Sequence, residues 1–109
     1  VGGRIFIVTA DGTPIGGAAF IPLQGDHYEL AKMAVAPEYR GRGIGRKLLL
    51  HIIAFARSLG ARTVRLGSNR KLTNAIHLYE SVGFRHLPPE RITPSRYTRT
   101  NVFMELVLD

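Results

Sequence analysis

Cysteine is absent from the 109 residues of this chain, which excludes disulfides and thiolate metal sites and is compatible with a reducing compartment. The four histidines, His27, His51, His77 and His86, lack metal-ligand spacing, so no metal is expected. No stretch approaches the roughly 20 apolar residues of a membrane span. Arg4 is followed by strand-like alternation, not by a signal peptide's apolar run and cleavage site. No membrane partner is expected, and the expected location is cytoplasmic. Acidic side chains are scarce, 8 against 15 Lys and Arg, for a formal net charge of +7. Nucleic acid, an anionic lipid surface or a poly-anionic cofactor are generic partners for such a balance. The arginines are dispersed, and the aromatics, 8% of residues, sit mostly in apolar runs. They do not resemble a base-stacking platform, and no nucleic-acid partner is expected.

What the sequence does contain is Arg40-Gly41-Arg42-Gly43-Ile44-Gly45 running straight into an apolar-striped segment, residues 46–59. Glycine leaves backbone N–H groups unobstructed and tolerates φ > 0. A helix N-terminus adds unpaired N–H groups and the positive end of the macrodipole. Together they suit a phosphate diester or pyrophosphate. Two better-known phosphate loops are excluded. Arg46-Lys47 is followed by Leu48 and not by Ser or Thr, as a nucleotide-triphosphate loop requires. The glycines recur every second residue, unlike Gly-x-Gly-x-x-Gly, and residues 61–67 hold no acidic residue for a ribose. A plain helix-capping turn is the simpler alternative.

The length fits one domain, residues 1–109, with a core that needs no staples. Residues 4–9 read as a strand, Asp11-Gly12 as a hairpin turn, and residues 15–23 as the returning strand. Gly16-Gly17 suggests a bulge or close backbone approach. Gln24-Gly25-Asp26 is a second turn, and residues 27–35 complete an antiparallel meander. The helix after the glycines places Ile44, Leu48, Ile52, Phe55, Ala56 and Leu59 on one face, widened by Leu49 and Ile53, and Gly60 stands at the αL cap. A strand at 63–66 follows, then a helix at 74–82 with Thr73 as N-cap and Gly83 as stop. A short strand at 84–87, a polar loop at 88–98 and a closing strand at 102–108 end the chain. That order implies an α/β domain with a mixed sheet.

Three segments resemble the GCN5-related N-acetyltransferase (GNAT) superfamily. Met33-Ala-Val-Ala-Pro-Glu-Tyr-Arg40-Gly-Arg-Gly-Ile-Gly45 fits the Gln/Arg-x-x-Gly-x-Gly/Ala signature for acetyl-CoA. Ser68-Asn69-Arg-Lys-Leu-Thr-Asn74-Ala-Ile-His-Leu-Tyr79-Glu-Ser-Val-Gly-Phe84 is similar to the later helix ending in Leu-Tyr-x-x-x-Gly-Phe. Met104-Glu-Leu-Val-Leu matches the closing strand. The resemblance covers about residues 4–109 and implies a mixed, largely antiparallel sheet with a splayed central strand pair and flanking helices. The strand and two helices that usually come first are missing, so the expected domain is N-terminally incomplete. The start at Val1 suggests a processed chain, a fragment or an unseen N-terminus.

By resemblance, backbone groups of Met33, Ala34 and Val35 would pair with the pantetheine arm of acetyl-CoA. Amides of Gly41, Arg42, Gly43, Ile44, Gly45 and Arg46 would cradle the pyrophosphate, with Arg40 and Arg42 flanking it. Asn69 or Asn74 would contact the pantetheine or adenosine. Tyr79 would protonate the departing thiolate, and Glu29 stands where the family's histone acetyltransferases place a general base. Arg91, Arg96 and Tyr97 lie in the loop that often faces the acceptor, where arginines suit a carboxylate-bearing amine. Blander readings stand beside these: Tyr79 as core packing, Glu29 as a solvent-facing strand residue, and the 88–98 loop as ordinary polar surface.

The implied activity is acetyl-CoA-dependent N-acetyltransfer to a primary amine by direct transfer in a ternary complex. The acceptor would be a small molecule or a protein, and a homodimer is compatible with the sequence. The alternatives are a catalytically silent acetyl-CoA-binding regulatory module and, further off, a basic nucleic-acid-binding domain.

Overall fold

The computed structural model describes residues 3–88 and 100–108. Most of the expected 88–98 loop, with Arg91, Arg96 and Tyr97, therefore lies outside the described residues. Strand β1 (Arg4–Ala10) turns at Asp11 and Gly12 into β2 (Thr13–Pro22). Both turn residues have positive φ, 51° and 80°, the geometry that matches the right-handed twist of a two-residue hairpin. A second turn, with Gly25 at φ 73°, leads into β3 (His27–Val35). The expected meander is present, antiparallel across both pairs. A 3-10 turn (Pro37–Tyr39) precedes helix α1 (Ile44–Ser58), followed by β4 (Thr63–Ser68), α2 (Thr73–Ser81), β5 (Arg85–His86) and β6 (Val102–Val107).

The sheet runs β1-β2-β3-β4-β6-β5. Every neighbouring pair is antiparallel except β3 with β4, so the sheet is mixed, as the sequence order implies. Buried Leu48, Leu49, Ile52, Ile53 and Ala56 of α1 join Phe20, Leu30, Val64, Met104, Leu106 and Tyr79 in one core. Phe55 meets Phe6 and Phe20 edge-on, and Phe20 stacks on Tyr28 at 4.8 Å. Both helices cover the same sheet face. On the other face Ile5, Ile7 and Ile21 stay 76%, 62% and 39% exposed. Among the described residues, no helix is long and apolar enough to cross a membrane.

Four local expectations need correction. Helix α1 starts at Ile44, the first residue of the expected stripe, but Leu59, the last, falls just past its end, 46% exposed. Thr73 is the first residue of α2 and does not cap it. Leu72 holds the cap position with no side-chain hydrogen bond, because the preceding turn is closed by Asn69: its Oδ1 accepts from Lys71 N–H and its carbonyl from Leu72 N–H. The strand expected from Phe84 contracts to Arg85–His86, since Phe84 is buried beside Tyr79 and its N–H bonds the Tyr79 carbonyl. Strand β4 runs two residues past its expected end.

Candidate functional site

Strands β3 and β4 pair only at His27–Thr63, Tyr28–Val64 and Glu29–Arg65. Beyond Glu29, β3 continues to Val35 while β4 remains paired with β6 alone. The two strands diverge, and the stretch of β3 holding Met33, Ala34 and Val35 presents a backbone edge that β4 does not cover, a template for an extended ligand.

The divergence has a local cause. Between the pairs Gly17–Ala34 and Ala19–Ala31 the register slips. Two β3 residues, Lys32 and Met33, oppose Ala18 alone, and Lys32 takes φ 55°. Such a β-bulge bends its strand and sharpens the twist. Gly16 and Gly17 let the neighbours close in around it: a Cβ would sit 2.9 Å from the Ala34 carbonyl oxygen at Gly16 and 2.6 Å from the Phe6 carbonyl oxygen at Gly17. A groove of about 560 Å³ flanks this region, lined by Ile5, Ile7, Gly17, Ala34, Val35 and Arg40 among others.

The glycine turn lies against the same end of β3. Gly41 and Gly43 are left-handed, at φ 79° and 77°, and Gly43 caps α1. The first helical hydrogen bond runs from Lys47 N–H to the Gly43 carbonyl, and residues 41–46 donate no backbone hydrogen bond to any described residue. Those amides are free to receive an anion. Gly45 sits inside the helix, where a Cβ would lie 3.4 Å from Leu78 Cδ2 and 3.6 Å from Met33 Cε, so turn, bulged strand and α2 converge there. The arginines around this turn have partners inside the fold. Arg40 Nε donates to the Val35 carbonyl at 2.9 Å, the Arg42 guanidinium lies over the Tyr39 ring at 5.2 Å, and Arg46 donates to Ser81 Oγ at 2.8 Å.

Tyr79 is buried on α2, 5.9 Å from the Phe84 ring. Its hydroxyl makes no hydrogen bond to a described residue, and none of their buried side-chain polar atoms lacks a partner, so the hydroxyl reaches the core's surface. Burial pushes the phenol above its ordinary value of 10.0, which keeps it protonated. Glu29 is half-buried at the last paired rung before the strands part. Asn69 follows β4 directly, and Asn74 is exposed in the first turn of α2.

The profile of the acetyltransferase (GNAT) family matches residues 2–84. The chain belongs to that family. An uncharacterized N-acetyltransferase of Escherichia coli, YjgM, is 37% identical over 89 residues, 79% of this chain and 53% of its own length. The chain thus spans about half of that relative. Among solved structures, a GNAT-family acetyltransferase of Staphylococcus aureus Mu50 superposes with a TM-score of 0.89 at 25% identity, covering 99% of this chain and 69% of that one. The ribosomal-protein-S18-alanine N-acetyltransferase of Escherichia coli gives 0.81 at 30% identity, covering 96% and 68%.

In this GNAT chain the residues that sequence reasoning missed are those that shape the backbone. Lys32 gave no signal, because lysine has no preference for the left-handed region. Gly16-Gly17 did signal close approach, and it marks the strand opposite the bulge.

Proposed function

We propose that this GNAT chain binds acetyl-CoA and transfers the acetyl group directly to a primary amine, with both substrates held together and no covalent enzyme intermediate. One observation carries the reading: the bulged end of β3, still paired with β2 but parted from β4, lies against a glycine turn whose amides are free. An extended arm can lengthen the sheet along Met33, Ala34 and Val35 while its phosphates reach the amides of residues 41–46. Arg40 and Arg42 flank that turn, and Asn69, just past β4, or Asn74, in the first turn of α2, would contact the pantetheine or adenosine. Acetyl-CoA supplies an acetyl thioester, already activated toward nucleophiles.

The chain's own groups perform the rest. Glu29 accepts a proton from the acceptor's ammonium group, because only the neutral amine attacks. The Val35 N–H stabilises the negative charge that develops on the acetyl oxygen. Tyr79 donates its hydroxyl proton to the departing thiolate, a role suited to a phenol kept protonated by burial. A small amine or amino-acid-like molecule is the first candidate acceptor and a protein amine the second. Arg96 and Tyr97, outside the described residues, are the candidate acceptor contacts.

The bare sheet face favours a second reading, an acetyl-CoA-binding module without turnover, since nothing described walls an acceptor there. Calorimetric titration of acetyl-CoA into the protein and a Gly43→Val variant tests the binding claim. Saturable binding lost in the variant supports the cradle, and no binding to a folded parent refutes both readings. Thiol release on addition of an amine panel then separates enzyme from silent binder.

A further inference from the structure

Four charged side chains form one row across the sheet, on the face away from the helices. Register places Glu29 of β3 beside Arg65 of β4, Arg65 beside Glu105 of β6, and Glu105 beside Arg85 of β5. The signs alternate, so Arg65 stands between two carboxylates that compete for it. It is bonded to one of them: its Nε donates to Glu105 Oε2 at 2.9 Å. Glu29 makes no hydrogen bond or ion pair with any described residue.

Burial decides the competition. The Glu105 side chain is 7% exposed, whereas Glu29 is only half-buried. A carboxylate withdrawn from water without a cation carries the heavier desolvation penalty, so Arg65 is drawn to Glu105 and away from Glu29. No other described neighbour takes its place. His27, on the same face, is hydrogen-bonded to Thr63 Oγ1 at 2.7 Å. Strand β2 offers Ile21 and Ala19 beside β3, and Arg85 lies on the far side of Glu105.

We propose that Glu105 is a positioning residue for the acetyl transfer: by holding Arg65 it keeps the Glu29 carboxylate open to the acceptor's ammonium group. Its functional meaning rests on the reading of Glu29 as the base, but the arrangement itself is measurable without turnover. With Glu105 neutralised, Arg65 turns to the only carboxylate left beside it in the row.

Carbodiimide coupling of glycine ethyl ester, read at Glu29 by peptide mass spectrometry, reports whether that carboxylate is open. The parent should label readily, Glu105→Gln several-fold less, and the Arg65→Gln/Glu105→Gln double variant at the parental level again. A merely structural role for Glu105 predicts no such recovery. Thermal melts establish that each variant is folded. Should Glu105→Gln fail to fold, Glu105→Asp, one methylene shorter, carries the comparison with a partial loss of labelling. Unchanged labelling in the folded Glu105 variant, or no recovery in the double variant, overturns the proposal. The base role is read separately, from thiol release by Glu29→Gln, so either claim can fail alone.

Discussion

Gly43 and Gly45 stand two residues apart at the start of α1, and replacing each by alanine should move stability in opposite directions. Gly43 has φ 77°, and an added Cβ meets nothing within 4 Å. The whole cost of Gly43→Ala is therefore left-handed strain, about 1–2 kcal/mol. Gly45 is helical, and its added Cβ makes ordinary contacts at 3.4 Å with Leu78 and 3.6 Å with Met33. There alanine gains up to about 1 kcal/mol of helix propensity. In a domain of about 100 residues each kcal/mol moves the melting temperature by about 4–8 °C. The variants should melt about 10 °C apart, on either side of the parent, in differential scanning calorimetry. Rotation out of the left-handed region would relieve that strain and turn the amides away, so Gly43→Ala should also weaken acetyl-CoA binding. Shifts in the same direction, or a Gly43→Ala variant that melts like the parent, would refute the left-handed turn and the cradle built on it.

Tyr79→Phe keeps the ring contact with Phe84 and removes a hydroxyl with no described partner. Its melting should stay within about 0.5 kcal/mol of the parent while thiol release falls about 10²–10⁴-fold; undiminished turnover removes the acid role. The same phenol predicts a pH effect on stability. Its ionisation in the folded state is raised above 10.0 by burial, so the fold favours the protonated form. That contribution is fully present below pH 10 and is lost as pH climbs through the raised value. Urea melts in that alkaline range should show the parent losing stability faster than Tyr79→Phe, and parallel declines would contradict it.

Much of this architecture was written in residue order and in two periodicities. Asp11-Gly12 announced its hairpin because few dipeptides accept two successive positive φ values, and the α1 stripe named its buried face nearly residue by residue. Helix and strand ends were less legible. Thr73 has the right chemistry for a cap, yet the Asn69 side chain had already closed the turn before it, a tertiary outcome that no local propensity encodes. The arginines around the glycine turn illustrate a second limit. Composition shows that Arg40, Arg42 and Arg46 carry charge near the turn, but not that each finds a partner on a strand carbonyl, a tyrosine ring or a serine. The Glu29–Arg65–Glu105–Arg85 row was invisible for the same reason, since its members come from four strands and meet only through register.

The bulge at Lys32 can also be considered as an insertion. Without that one residue the strand would read His-Tyr-Glu-Leu-Ala-Met-Ala-Val, with Tyr28, Leu30, Met33 and Val35 falling in unbroken alternation. Lysine at φ 55° adds a left-handed kink worth about 1–2 kcal/mol against the fold. Deleting it should straighten the strand and let its end zip onto Leu66, Gly67 and Ser68 of β4. The shortened chain would gain hydrogen bonds and thermal stability, and the gap between the strands would close. Here loss of function would be a gain of structure, a lesion that no screen for misfolding could find.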